Sequence, residues 1–202
     1  RSRMLAFDCG PGNVMIDHAM KRFHGVNYDA GGKFAAQGSV DAAMLTDLLQ
    51  HPFFDRPIPR CAWRLDFGAE YADSMLDKHA SLPQEHVVRT LTRFSAEAIV
   101  RSLVDNVPQL GEIDTLIASG GGVHNATLLE EIRGLLPAGI ALRLSDEFGL
   151  PAQYKEAIKF ATLAVATLNS IGNNIPAASG AVRFGVLGKL VQAPRNARLT
   201  DS

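Results

Sequence analysis

Apolar and polar positions along this chain follow helical and strand-like periods in alternation. Met4–Phe7 is a short apolar run ending at Asp8 and predicts a strand, followed by the turn cluster Cys9-Gly10-Pro11-Gly12-Asn13. Val14, Ile16, Ala19 and Met20 predict a helix through about Arg22, and residues 27–32 read as a loop with Gly31-Gly32 as its turn. Ser39 is placed as the N-cap of a helix through Leu49, with Val40, Met44, Leu45 and Leu48 at helical spacing. Val87, Leu91, Phe94, Ala98 and Leu103 fall near one face of a long helix, with Arg89, Arg93, Glu97 and Arg101 mostly elsewhere. Thr115–Ala118 reads as a buried strand, Leu128, Leu129, Ile132 and Leu135 as a helix, Ile140–Leu144 as a second strand ending near Asp146, and Gln153–Ser170 as an apolar-rich helix. Between these lies His51–Gly68, rich in proline and aromatics, an irregular loop whose apolar content calls for burial. Strands alternating with helices predict an α/β domain with a largely parallel sheet, in which ligands bind beyond the carboxyl ends of strands. Both glycine clusters are placed at such ends.

Bulk properties narrow the function classes. With 202 residues, 47% of them apolar and 20% charged, the chain suffices for one domain with a sizeable core. A formal net charge of −1 argues against a nucleic-acid or membrane-surface partner. No apolar run is long enough to span a bilayer, and Arg1-Ser2-Arg3-Met4 is not a signal peptide. Cys9 and Cys61 form neither a CxxC pair nor a metal cluster; two free thiols in the cytoplasm is the expectation, with a single disulfide the alternative. The abrupt opening, already inside a strand, reads as a fragment of a longer polypeptide, Met4 being the alternative native start.

Two glycine loops carry the candidate chemistry. In Asp8–Asn13 the glycines would let backbone approach a phosphate at a helix N-terminus, while Asp8 would face the reacting group as a general base. A strand-to-helix turn with Asp8 bonding its neighbouring amides serves the same residues equally well. Ser119-Gly120-Gly121-Gly122-Val123-His124-Asn125 also follows a strand, and Asn125 can cap the next helix. Three consecutive glycines exceed what a turn needs and favour ligand contact. GGGVHN, with Asp146 ending the next strand, partly matches a dinucleotide fingerprint, but its last position is Asn125 rather than Gly or Ala; no P-loop sequence is present. His24, His51, His86 and His124 show no metal-ligand spacing and read as surface or packing residues, His124 alone sitting in a candidate ligand loop.

Several segments, in order over nearly the whole chain, resemble the anhydro-N-acetylmuramic acid kinases, with the fungal levoglucosan kinases as close relatives. They are FDCGPGNVMID (Phe7–Asp17), YDAGGKFAAQGSV (Tyr28–Val40), HPFFDRPIPR (His51–Arg60), SGGGVHNATLLEEI (Ser119–Ile132), DEFGLPAQYKEAIKFATLAV (Asp146–Val165), NNIPAASGA (Asn173–Ala181) and VLGKL (Val186–Leu190). The resemblance implies a two-lobed kinase of the actin-like ATPase (ribonuclease H-like) superfamily, this chain being its single C-terminal lobe over residues 1–202, with a mixed, largely parallel sheet flanked by helices and the N-terminal lobe absent. It implies ATP and Mg2+ in the cleft and a small anhydro sugar as substrate, cleaved by water at the anomeric carbon and phosphorylated at O6. Asp8 matches the family's general base. Gly10, Gly12 and Asn13 would line the phosphates, and Gly120, Gly121, Gly122 and Asn125 the nucleotide. Glu156 matches a position near the sugar; its plainer reading is a surface carboxylate paired with Lys159 or Lys155. The metal ligands stay unassigned, and family precedent implies a homodimer.

The chain departs from the family where a segment like PKSTGREDF is usual. Here Pro59-Arg60-Cys61-Ala62-Trp63-Arg64-Leu65-Asp66-Phe67 keeps only Arg64 and Phe67 as obvious matches, with Ala62-Trp63 replacing a small Thr-Gly pair. The leading expectation is therefore an ATP-dependent kinase of 1,6-anhydro-N-acetylmuramic acid, incomplete here and inactive as this chain alone. A muramyl substrate suits cell-wall recycling. The alternatives are a levoglucosan kinase, a non-catalytic nucleotide-binding module of the same fold and, far behind, an NAD-type oxidoreductase.

Overall fold

In the computed structural model, which describes residues 4–192, the chain divides into two units: Phe7–Lys155, and residues 4–6 with 156–192. The first contains α1 (Val14–His24), α2 (Ala42–Leu49), α3 (Arg64–Phe67), α4 (Ala69–Lys78), α5 (Gln84–Asn106), β1 (Thr115–Ala118), α6 (Ala126–Leu135) and β2 (Ala141–Leu144). Helix α7 (Lys155–Leu168) begins at the boundary, and α8 (Pro176–Ser179) lies in the second unit.

Helix α5 organises the first unit. Val87, Leu91 and Phe94 are buried as their spacing predicts, against Met15, Ile16 and Met20 of α1, Met44 and Leu48 of α2, and Phe53. Each such burial stabilises the fold by roughly 1.5–3 kcal/mol. One turn on, Ala96 and Val100 meet Leu128 and Ile132 of α6, with Leu116 and Leu142 of the sheet packed alongside. The arginines of α5 are not simply solvated. Glu131 of α6 is buried and takes both Arg89 and Arg93, the latter at 2.8 Å, so a charged clasp joins the two helices.

Strands β1 and β2 are parallel, Thr115 opposite Ala141 through Ala118 opposite Leu144, joined by the α6 crossover. The expected α/β class with parallel pairing is present, but the sheet has two strands among the described residues. The expected strand at Met4–Phe7 is not formed: residues 4–7 have no ladder partner among the described residues, and Met4 and Leu5 are exposed. The ladder-like bond falls one residue later, from the Asp8 N–H to the Arg60 carbonyl at 2.9 Å.

Other boundaries shift for local reasons. Asp41, not Ser39, caps α2, its carboxylate accepting the Met44 N–H at 2.8 Å. The Ser39 N–H instead donates to His86 Nδ1. The aromatic segment is more ordered than a loop: a 3-10 turn at Pro52–Asp55 buries Phe53, and α3 buries Phe67. Helix α4 is an addition to the sequence reading.

In the second unit no residue of α7 is buried. Asn173 and Asn174 pin a return segment there. Asn173 Oδ1 accepts the Leu187 N–H at 2.6 Å, its Nδ2 donates to the Leu163 carbonyl at 3.2 Å, and Asn174 Oδ1 accepts the Gly185 N–H at 2.7 Å. Among the described residues no helix is long and apolar enough to cross a membrane.

Candidate active site

Three small residues of α5 form a seat for the first glycine loop. Ser102 Oγ donates to the Cys9 carbonyl at 3.1 Å, and Ser95 Oγ donates to the Gly12 carbonyl at 2.6 Å. Between them, a Cβ on Gly10 would stand 2.8 Å from the Ala98 Cβ, closer than two carbons can pack. Gly10 is thus required by contact with the helix, whereas Gly12 (φ +54°) faces open space and is required by its backbone conformation. Asn13 then leads into α1.

Asp8, exposed at the start of this loop, is held from the opposite side by the aromatic segment. Its Oδ2 accepts the Ala62 N–H at 2.7 Å, and Oδ1 has no hydrogen bond among the described residues. Arg60 fixes the surrounding backbone. Its buried guanidinium donates to the carbonyls of Asp8 (3.3 Å), Phe54 (3.0 Å) and Arg56 (3.1 Å), and to Ser102 Oγ (2.9 Å), while lying over the Phe53 ring. One side chain therefore ties Asp8, the 3-10 turn and α5 together. Cys9 and Cys61 are both free thiols, and burial pushes the Cys9 thiol up from its ordinary value.

The second loop approaches from β1. Gly121–His124 makes a 3-10 turn, and Asn125 caps α6 as expected, its Oδ1 accepting the Leu128 N–H at 3.0 Å. Gly32 brings the intervening loop against this cap; a Cβ there would stand 2.2 Å from Asn125 Oδ1, and Thr127 Oγ donates to the Gly32 carbonyl. The two glycine loops meet at Asn13, whose side-chain amide lies 3.7 Å from where a Gly122 Cβ would be. The Asn13 Oδ1 acceptor is buried without a hydrogen-bond partner, an arrangement that costs about 1–3 kcal/mol unless a donor or cation reaches it. The Lys155 ammonium lies 3.9 Å from the corresponding point on Gly120.

Two hollows are lined by residues of these loops. Asp8, Gly10, Gly12, Ala62, Trp63 and Phe67 line one of about 330 Å³. Asn13, Asp17, Tyr28, Gly121, His124 and Asn125 line the other, of about 360 Å³. Both volumes fall within the ~300–1,000 Å³ range of small-ligand sites. Burial pushes the Asp17 carboxyl up from its ordinary value. Asp29 is committed elsewhere, accepting the Phe34 and Ala35 N–H groups at 2.9 Å each. Among the described residues no group of three or more His, Cys, Asp or Glu forms a metal cage. Asn13 Oδ1 and the Asp17 carboxylate are hard oxygen donors of the kind magnesium accepts when phosphates and water complete its shell.

Of the residues singled out from the sequence, Asp8, Gly10 and Gly12 line the first hollow; Asn13, Gly121 and Asn125 line the second, with Gly120 and Gly122 flanking Gly121. Glu156, at the start of the C-terminal part of the second unit, pairs with Lys159. Asp146, the would-be ribose acid of a dinucleotide site, accepts the Ala152 N–H and holds a turn. Sequence reasoning missed Arg60, Lys155 and Asp17. The available signal for the first was an arginine inside an otherwise proline- and aromatic-rich segment.

Comparison with known proteins bears directly on this arrangement. The family model described as anhydro-N-acetylmuramic acid kinase matches residues 1–193, both glycine loops included. The chain belongs to that family. It is 39% identical over 187 residues to the anhydro-N-acetylmuramic acid kinase of Francisella tularensis subsp. novicida, covering 93% of this chain and 49% of that protein. To those of Clostridioides difficile and Bacillus cereus (strain AH820) it is 35% and 36% identical, covering 95% of this chain and 50% of each relative. The chain thus spans about half the length of the curated relatives it matches. Family membership removes the NAD-type alternative.

Proposed function

We propose that this chain is the nucleotide-gripping C-terminal lobe of an actin-like, two-lobed kinase that opens 1,6-anhydro-N-acetylmuramic acid with water and phosphorylates O6 at the expense of ATP. The observation that carries this reading is the meeting of both glycine loops at Asn13, with one hollow lined by Asp8 and the first loop and another lined by Asn13 and the second loop. The curated relatives, all named for the muramyl substrate, favour it over levoglucosan.

In this mechanism the sugar occupies the Asp8 hollow. Asp8 takes a proton from water as the water oxygen bonds to the anomeric carbon, and the bond from that carbon to O6 breaks. O6, freed with its electron pair, takes the γ-phosphoryl group, ADP leaves, and the proton on Asp8 returns to solvent. Gly10 and Gly12 keep the loop slim beside the phosphates, and Gly120, Gly121, Gly122 and Asn125 lie along the nucleotide, with the Lys155 ammonium as a positive neighbour. Charge on the transferring phosphoryl group is what magnesium, held through Asn13 and Asp17, would offset. On the family's sequence pattern alone we also assign Glu156 to substrate binding and the protein to a cytoplasmic homodimer.

The test is a coupled ADP-release assay on the full-length protein carrying this chain, with 1,6-anhydro-N-acetylmuramic acid, levoglucosan and glucose as acceptors. Release with the muramyl sugar above that with the other two is expected. Sugar-independent or absent release with all three rejects the kinase reading and leaves a non-catalytic nucleotide-binding module.

A further inference from the structure

Trp63 lines the same hollow as Asp8, yet it is 71% exposed. It is the sole tryptophan of the chain. Core burial does not account for it, because the core cluster takes in Phe53, Phe67 and Ala62 without it. Its backbone, by contrast, is firmly set. The Trp63 N–H donates to Asp66 Oδ2 at 2.8 Å, and the Asp66 N–H returns to the Trp63 carbonyl at 2.9 Å. Arg56 clamps the Asp66 carboxylate in turn. The preceding residue, Ala62, gives its N–H to Asp8. A large aromatic ring is thus carried on fixed backbone one residue from the group that touches the candidate base, on the rim of its hollow.

We infer that Trp63 is a specificity-determining stacking platform for the pyranose ring of the sugar bound beside Asp8. This rests on the sugar-kinase reading above. A pyranose presents a face rich in C–H bonds, which packs on a flat indole, while its hydroxyl groups remain free for polar partners such as Asp8. Covering Trp63 removes from water an apolar surface that the free protein leaves wet.

The lone tryptophan makes the test direct. In the full-length protein, titration with 1,6-anhydro-N-acetylmuramic acid or levoglucosan without ATP should give a saturable change in tryptophan emission, compared with a mutant lacking Trp63 to subtract any other tryptophan outside these 202 residues. Trp63→Ala should raise the sugar KM about tenfold, with a smaller change in kcat and no change in the KM for ATP; Trp63→Phe should recover most of the loss. Because the side chain is exposed, both variants should melt with the wild type. An unchanged sugar KM in Trp63→Ala, or emission unmoved at sugar concentrations that saturate ADP release, overturns the inference while leaving the kinase reading intact. If the wild type releases no ADP with any sugar, the kinase reading fails separately: a saturable emission change then still supports Trp63 as a sugar platform, and its absence rejects that too.

Discussion

At the scale of single residues, Asp8 is defined by what it lacks as much as by what it holds. One oxygen is fixed by the Ala62 amide and the other has no hydrogen bond among the described residues, which suits the proton-accepting role proposed for it. Asp8→Asn should lower ADP release by on the order of 10²–10⁴-fold while nucleotide binding, measured by calorimetry, stays close to wild type. Gly10 makes a different prediction. A methyl there collides with Ala98, so Gly10→Ala should destabilise the protein by roughly 1–3 kcal/mol in a denaturant melt. Ala98→Gly in the same background should recover part of that loss despite its own helix cost. The sequence suggested a phosphate-facing reason for this glycine; the helix contact is a second reason that could not be read from it, because Ala98 is remote along the chain. Arg60 was hidden in the same way: its partners Asp8 and Ser102 are distant in sequence and carry no local pattern. Asn125 was legible because capping is local, with donor and acceptor three residues apart.

At the scale of elements, periodicity found α1, α2, α5 and α6, since each buries one face, and both strands as well, although Thr115–Ala118, expected as a buried strand, has no buried residue and leaves Ile117 exposed. It failed for residues 4–7, whose apolar run pairs with no strand among the described residues. The stripe Ser95–Ala98–Ser102 was read only for its alanine, although the serines are what hold the first loop. The aromatic turn offers a pH prediction. His51 Nδ1 accepts the Phe53 N–H at 3.1 Å and its ring packs on Phe67 and Tyr71. Burial chiefly depresses its pKa, aided by Arg56 and opposed by Asp66. With the folded value below the unfolded one, near ~6.5, the unfolded chain binds the proton more readily. The stabilisation is present above about pH 6.5 and is lost as pH falls through the folded value. Thermal melts should therefore drop between pH 7.5 and 5, and His51→Gln should flatten that part of the profile.

At the scale of the whole molecule, the family motifs fixed the order of the chain better than any one element did, because seven segments in sequence constrain one another. Surface character is where the chain departs most from an ordinary domain. Phe160, Val165 and Leu168 of α7 and Phe184, Leu187 and Leu190 beyond it are all exposed. Apolar surface on this scale binds dyes and partners. The isolated 202-residue chain should accordingly enhance the fluorescence of a hydrophobic dye and self-associate with concentration in sedimentation. Replacing Phe160 and Leu168 by serine should reduce both signals without lowering the melting temperature.

Arg60 and Asp66 also bear on how this protein could change over time. They clamp the two ends of residues 61–65 through bonds that involve backbone carbonyls, a serine and an arginine, none of them supplied by the side chains between. The interval behaves as a cassette: its side chains can be exchanged while its ends, and with them the carboxylate opposite, stay where they are. On the kinase reading, drift in this stretch would retune which sugar is accepted rather than erase turnover, and the same stretch is the natural place to install a library.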